Sequence, residues 1–303
     1  MPEEVKSSAD ASSAAVSGEL RRDDYWTIVN DETPYAQGDI LRRFTSNDPD
    51  DPEFGLIITA DCDIAQAKAA DRLTYVEVVS TRTYLETIWI PDQLQKFVKK
   101  QSAAAAQALA GVMRRSELSF ELLDEQLVEW LRQRPVEAVD KAVNRTGKAL
   151  DGRLVQNLNA LRCALGAEGH ATPLAQWRAL RTTLGDSKDR QLADLTSALA
   201  GGGGFPDFFL LPELPGASGL GYVALLRFIR TVHSHEVFAS EVDARVQGHP
   251  HALHRVGCLT DGIRFAVTQK LAFLFSRIGL PTSFENASKS AAALAAESLF
   301  TGV

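Results

Sequence analysis

Leu73-Thr-Tyr-Val-Glu-Val-Val79, followed by Leu94, Phe97 and Val98, is where this chain changes its hydrophobic period. The first run is β-branched and aromatic throughout, which suits a pleated surface. From about Asp92 the apolar residues recur every three or four positions, the spacing of one helix face. A strand region therefore passes into a helical one close to Pro91.

Upstream, Gly55-Leu-Ile-Ile-Thr59 is too short and too β-branched for a helix and reads as a buried strand. Gly38-Asp39 is a turn signal, and Ile40 to Phe44 reads as a short strand after it. The first ordered segment is expected at Tyr25 to Asn30. Between residues 47 and 53 the chain is acidic and contains proline, as a loop would be.

Downstream, Leu94 to Met113 is expected to form the first helix. Ser116 is expected to cap a second, carrying Leu118, Leu122, Leu123, Leu127 and Trp130. Pro135 suits the first turn of a third, with Val136, Val139 and Val143. Leu154, Leu158, Leu161 and Leu165 mark a fourth, closed by Gly166. Thr172-Pro173 is a cap followed by proline at the first helical position. A last helix carries Leu192, Leu195 and Leu199 and stops at Gly201 to Gly204, read as a flexible joint. Trp130 and Trp177 are expected in the core.

The strand signal returns at Phe208 to Leu211 and Tyr222 to Val232. A helix is expected from Thr260 or Asp261, with Ile263, Val267, Leu271, Leu274 and Ile278 inward, ending at Gly279 and Pro281. A final helix is expected over 286–300. The fold class is α+β: a small β-barrel interrupted by an all-helical insertion, with C-terminal helices. The expected division is a disordered tail over 1–22, the first part of the β module over 23–91, the insertion over 92–204, and the second part over 205–303.

The net charge of −7 is unevenly placed. Met1 to Gly55 holds 13 acidic and 5 basic residues, so the remainder is close to neutral. That argues against a large basic field for non-specific nucleic-acid binding. No run approaches the roughly 18 apolar residues a membrane span needs. The N-terminus lacks the pattern of a secretory signal. Cys62, Cys163 and Cys258 are far apart and odd in number, which suits a reducing cytoplasm.

Several residue groups could carry chemistry. Asp61-Cys62-Asp63 follows an apolar strand and could bind a metal or position a substrate. It could equally be a turn whose carboxylates accept backbone N–H groups. His233, His235, His249, His251 and His254 have ligand chemistry suited to zinc but not a standard spacing. Arg42, Arg43, Arg227 and Arg230 could line a basic groove or sit on solvated strands.

The order Gly38-Asp39-Ile40, Leu56-Ile57-Ile58-Thr59, Val78-Val79-Ser80-Thr81, Val256-Gly257-Cys258-Leu259, then Ile278-Gly279-Leu280 resembles the MazF/PemK family of toxin endoribonucleases. The resemblance covers about 150 residues in two blocks and implies an SH3-like barrel. The family's Arg-Pro before the second strand is replaced here by Glu53-Phe54-Gly55. The resemblance therefore implies the barrel without the activity. Gln37 to Leu41, Thr59 to Ile64 and Leu259 to Pro281 are also similar to bacterial proteins encoded among mobile or defence genes, with no assigned chemistry.

The leading expectation is a non-catalytic binding or regulatory component of a bacterial anti-phage defence or toxin–antitoxin-like system. It would be cytoplasmic, have a protein partner, and use no cofactor and no metal. Nucleic acid and oligomer formation stay open as partners. The alternative is a metal- or Arg-dependent nuclease acting on RNA or DNA, with Asp61, Asp63, Ser80 and Arg42 converging as catalytic residues. Arg43, Cys62, Thr81, Arg264 and Gln269 are the candidate binding residues. A second alternative is a zinc-stabilised structural subunit.

Overall fold

The computed structural model describes residues 25–43, 53–68, 71–118, 121–201, 207–217, 221–247 and 252–276, with 287, 290 and 291. The expected tail over 1–22, the loop residues 47–52, Gly202 to Gly204, His249, His251, Ile278 to Pro281 and nearly all of the last helix lie outside the described residues.

The chain runs β1 (Trp26–Thr27), β2 (Asp39–Arg43), β3 (Phe54–Ile57), α1 (Asp61–Ala65), β4 (Arg72–Ser80) and α2 (Thr81–Tyr84). A π-helical segment, Leu85–Trp89, leads into α3 (Ile90–Arg115). Then come α4 (Asp124–Gln133), α5 (Val136–Val143), α6 (Gly152–Ala164), α7 (Pro173–Thr183) and α8 (Lys188–Ala200). The closing part is β5 (Phe208–Leu211), β6 (Tyr222–His233), β7 (Val237–Phe238), α9 (Glu241–Gln247), β8 (Leu253–Leu259) and α10 (Asp261–Phe275).

The fold is α+β, with one curled, half-barrel sheet of eight strands. Its path is β1-β8-β2-β3-β4-β6-β5, and β7 lies parallel beside β8. All the other pairs are antiparallel. Strands from before and after the long helical stretch thus hydrogen-bond in one sheet. Register shifts at Ile40/Leu41 and Val76/Glu77 bend the strands where the sheet curls.

Both faces of the sheet are covered, which explains the unbroken apolar run of β3. Successive side chains of a strand point to opposite faces. Ile40, Leu56, Val76 and Val78 pack on one face with Val267 and Leu274 of α10. Their neighbours Leu41, Ile57 and Tyr75 pack on the other with Leu73, Val232, Val237 and Leu253. Farther along that second face, Val223, Leu225 and Phe208 share a core with Ile90, Leu94, Ala160, Trp177 and Leu180 of the helices. A separate core inside the bundle holds Leu109, Met113, Leu127, Leu131, Val139, Leu158 and Leu161.

Two local expectations are corrected. Helix begins at Thr81 and not near Asp92, because the Ser80 hydroxyl accepts from the Thr83 N–H and caps it. Pro91 cannot donate to the preceding turn, and the helix takes the wider π form just before it. Ser116 does not open the second helix. It closes α3: Glu117 adopts φ +57°, and the Leu118 N–H donates to the Met113 carbonyl. The α4 helix starts only at Asp124, while Leu118 and Leu122 pack on the bundle core from the connection.

Candidate functional site

The two sequence blocks around Gly38 and Asp61 meet the first turn of α10. Gly38, at φ +93°, turns the chain into β2, and its N–H donates to the Ile57 carbonyl at 2.9 Å. That places Gln37 beside the end of β3. Its backbone N–H donates to Asp61 Oδ1 at 2.7 Å, and its side-chain amide donates to the Ile58 carbonyl at 3.1 Å. Arg264 then reaches across from α10. Its Nη1 donates to Asp61 Oδ2 at 2.9 Å, and its Nη2 donates to Asp261 Oδ1 at 2.8 Å.

Gly38 is required for this approach. A Cβ there would stand 2.9 Å from Arg264 Cδ, and the positive φ already disfavours any side chain. Asp61 begins the single turn α1, and Cys62 is exposed, its thiol lying 3.7 Å from Asp63 Oδ1. Asp61 is half exposed, so its ion pair with Arg264 orients side chains more than it stabilises the fold.

Behind this surface lies a buried ion pair. Arg255 and Asp39 are almost fully enclosed and approach to 3.3 Å. Arg255 also donates to the carbonyls of Asn30, Thr33 and Pro34 at 2.8–3.1 Å and stacks over Tyr35. Asp39 Oδ2 accepts from the Ala36 N–H at 2.9 Å. Burial pushes the Asp39 carboxyl above its usual range, although Ala36 and Arg255 both pull it down. Burial and the neighbouring Asp39 push the Cys258 thiol up to about 12, so it is not a nucleophile.

The proposed nuclease set is spread along β4. Asp61 follows β3, whose last residue Ile57 pairs with Tyr75. Ser80 lies five residues farther along β4, about 16 Å of strand. There it is held by Thr83 and pairs with Tyr222. Arg42 pairs with Phe54 toward that end of the strand. Its guanidinium donates to Glu53 at 2.9 Å and to the Gly216 carbonyl at 3.2 Å. Thr81 lies against Gly221, whose carbonyl accepts its N–H. Gln269 is exposed on α10, and Arg43 is buried beside Tyr75.

The remaining charged candidates are matched locally. Arg227 pairs with Asp207 and Arg230 with Glu77. His233 and His235 stack at 5.1 Å, and His254 is buried in β8. Among the described residues, none of these three histidines gathers two further ligand side chains. Arg255 organises the site without standing out in the sequence, and Gln37 stands out there only within the Gln37 to Leu41 block. A basic residue inside an apolar strand such as β8 was the available signal for Arg255.

Comparison of the chain with protein-family models, curated proteins and solved structures returned no match. Among the described residues, no helix is long and apolar enough to cross a membrane.

Proposed function

We propose that the chain is a non-catalytic binding component, of the kind a bacterial defence or toxin–antitoxin-like locus encodes. In this reading a degenerate toxin-type barrel carries a helical insertion whose surface engages a protein partner. The observation that supports it most directly is the engagement of Asp61. Both of its oxygens already accept hydrogen bonds, from Gln37 and Arg264, and Ser80 and Arg42 lie farther along β4. A hydrolytic site needs its carboxylate, hydroxyl and guanidinium to converge on one reacting atom.

The helices offer a surface for such a partner. A groove of about 910 Å³ runs between α3 and α6, with Ala104, Ala108 and Leu154 along it. Arg115, Lys148 and Arg153 line it against the single acid Asp151. That balance favours a protein segment carrying acidic residues on an apolar stem.

Purified protein incubated with labelled RNA and DNA, with and without Mg²⁺ or Mn²⁺, is expected to cleave neither. Cleavage that disappears on Asp61→Ala would overturn the binding reading in favour of a nuclease. An Arg115→Glu, Arg153→Glu double variant is expected to keep its fold, because both side chains are exposed. It is also expected to lose association with a partner encoded beside its gene.

A further inference from the structure

Cys163, Glu168 and His170, none of them part of the site described above, bring three different metal-ligand atoms within 4.8 Å of one another. Their spacing is C-x-x-x-x-E-x-H. Cys163 is the penultimate residue of α6, and Glu168 and His170 lie in the turn that leads to the Thr172 cap of α7. Gly166 at φ +71° and Gly169 at φ +67° fold that turn back on the helix end.

Two of the three edges have the lengths of a coordination polyhedron, and the third lies within 4.8 Å. With Zn–S about 2.3 Å and Zn–N and Zn–O about 2.1 Å, a tetrahedral site has an S···O edge of about 3.6 Å and an N···O edge of about 3.4 Å. Cys163 Sγ stands 3.5 Å from Glu168 Oε2, and His170 Nε2 stands 3.4 Å from the same oxygen. His170 Nε2 is buried and makes no hydrogen bond, despite that proximity. A buried imidazole nitrogen beside a carboxylate, within 4.8 Å of a thiol and without a hydrogen bond of its own, has the surroundings of a metal ligand.

We propose that Cys163, Glu168 and His170 bind one zinc ion, with water in the fourth position. A thiolate, a carboxylate and a neutral imidazole balance the charge of Zn²⁺, and the thiolate disfavours the hard ions Mg²⁺ and Ca²⁺. Thr183 Oγ1, 3.6 Å from Cys163 Sγ, is placed to donate to the thiolate from the end of α7. The ion therefore ties the end of α6 to both ends of α7. Cys163 also packs in the core that joins the helices to the sheet, so the ion steadies that junction. The site is independent of the nuclease and binding readings above.

The test uses the full chain, purified without chelator. Elemental analysis is expected to find about one zinc per chain. Exchange into Co²⁺ is expected to give the intense visible bands of a tetrahedral ion and a thiolate-to-cobalt charge-transfer band. Cys163→Ser removes the charge-transfer band, while His170→Cys retains the ion and strengthens it. A His233→Gln, His235→Gln variant keeps the metal. Wild-type protein with no stoichiometric zinc and no cobalt bands overturns the proposal, and this reading needs no variant to fold. Unchanged cobalt bands in Cys163→Ser, or metal lost only from the His233, His235 variant, overturn it equally.

Discussion

Arg255 supports more backbone than any other side chain near the candidate site. Its donors hold three carbonyls of the segment 30–34 and the buried Asp39 carboxylate together. Arg255→Met would leave that carboxylate enclosed and unpaired, so we expect a loss of about 3–5 kcal/mol in urea unfolding. A loss below about 1 kcal/mol would show that the pair does not organise this segment. Asp39 also makes stability depend on pH. Burial raises its carboxyl in the folded state, so the fold binds this proton more tightly than the unfolded chain does. The resulting stability is fully present below about pH 4, the unfolded value, and is lost as pH rises through the higher folded value. His254 acts in the opposite sense, since burial lowers it: its contribution is present above about pH 6.5 and is lost as pH falls through the folded value. Asp39→Asn should therefore remove the decline that begins near pH 4 and leave the histidine-dependent part unchanged. Unfolding free energies of wild type and variant across this range would check it, and parallel curves would contradict it.

At the scale of elements, the turn into β2 and the start of α10 form one unit through Gly38 and Arg264. Gly38→Ala places a side chain at φ +93° and against Arg264 Cδ, which should cost about 1–2 kcal/mol from the backbone alone. In an Arg264→Ala background the steric part vanishes and the backbone part stays, so a double-mutant cycle should give a measurable coupling between them. Additive losses would mean that Arg264 yields freely. The sequence made some of these elements legible and hid others for identifiable reasons. Thr172-Pro173 was readable because capping is local: the Thr172 hydroxyl accepts from the Ala175 N–H three residues on. Thr172→Ala is expected to cost about 1 kcal/mol in the same unfolding assay. Ser116 carries a similar signal but closes a helix, because the left-handed Glu117 that ends α3 has no compositional mark. Asp61 and Arg264 were each legible as candidates. Their partnership was not, since they lie 203 residues apart and meet only once the sheet has closed. For the same reason Ser80 and Arg42 could be imagined beside Asp61 until the register of β3 on β4 separated them.

At the scale of the whole molecule, the α+β class and the strands on either side of the helices followed from periodicity. The manner in which the two parts are joined did not, because a helix face and a sheet face carry the same apolar residues whichever partner they meet. The join is the shared core of Phe208, Val223 and Leu225 with Ile90, Leu94, Trp177 and Leu180. Fully burying one such aliphatic or aromatic side chain contributes about 1.5–3 kcal/mol, so the gross contribution of seven is comparable to the roughly 5–15 kcal/mol of net stability of a whole domain. Separating the helices from the sheet would expose this core at once. The two parts should therefore unfold together. Trp26 packs on the sheet core and Trp130 on the bundle core, which permits a direct comparison. One variant keeps only Trp26 and the other only Trp130, with phenylalanine at the remaining tryptophans. We expect fluorescence in both to report the same urea midpoint, coincident with the loss of helical circular dichroism. Phe208→Ala in either background should lower both signals together, by about 3–5 kcal/mol. Two separated midpoints, or a Phe208→Ala effect confined to the Trp26 signal, would show that the bundle folds independently of the sheet it rests on.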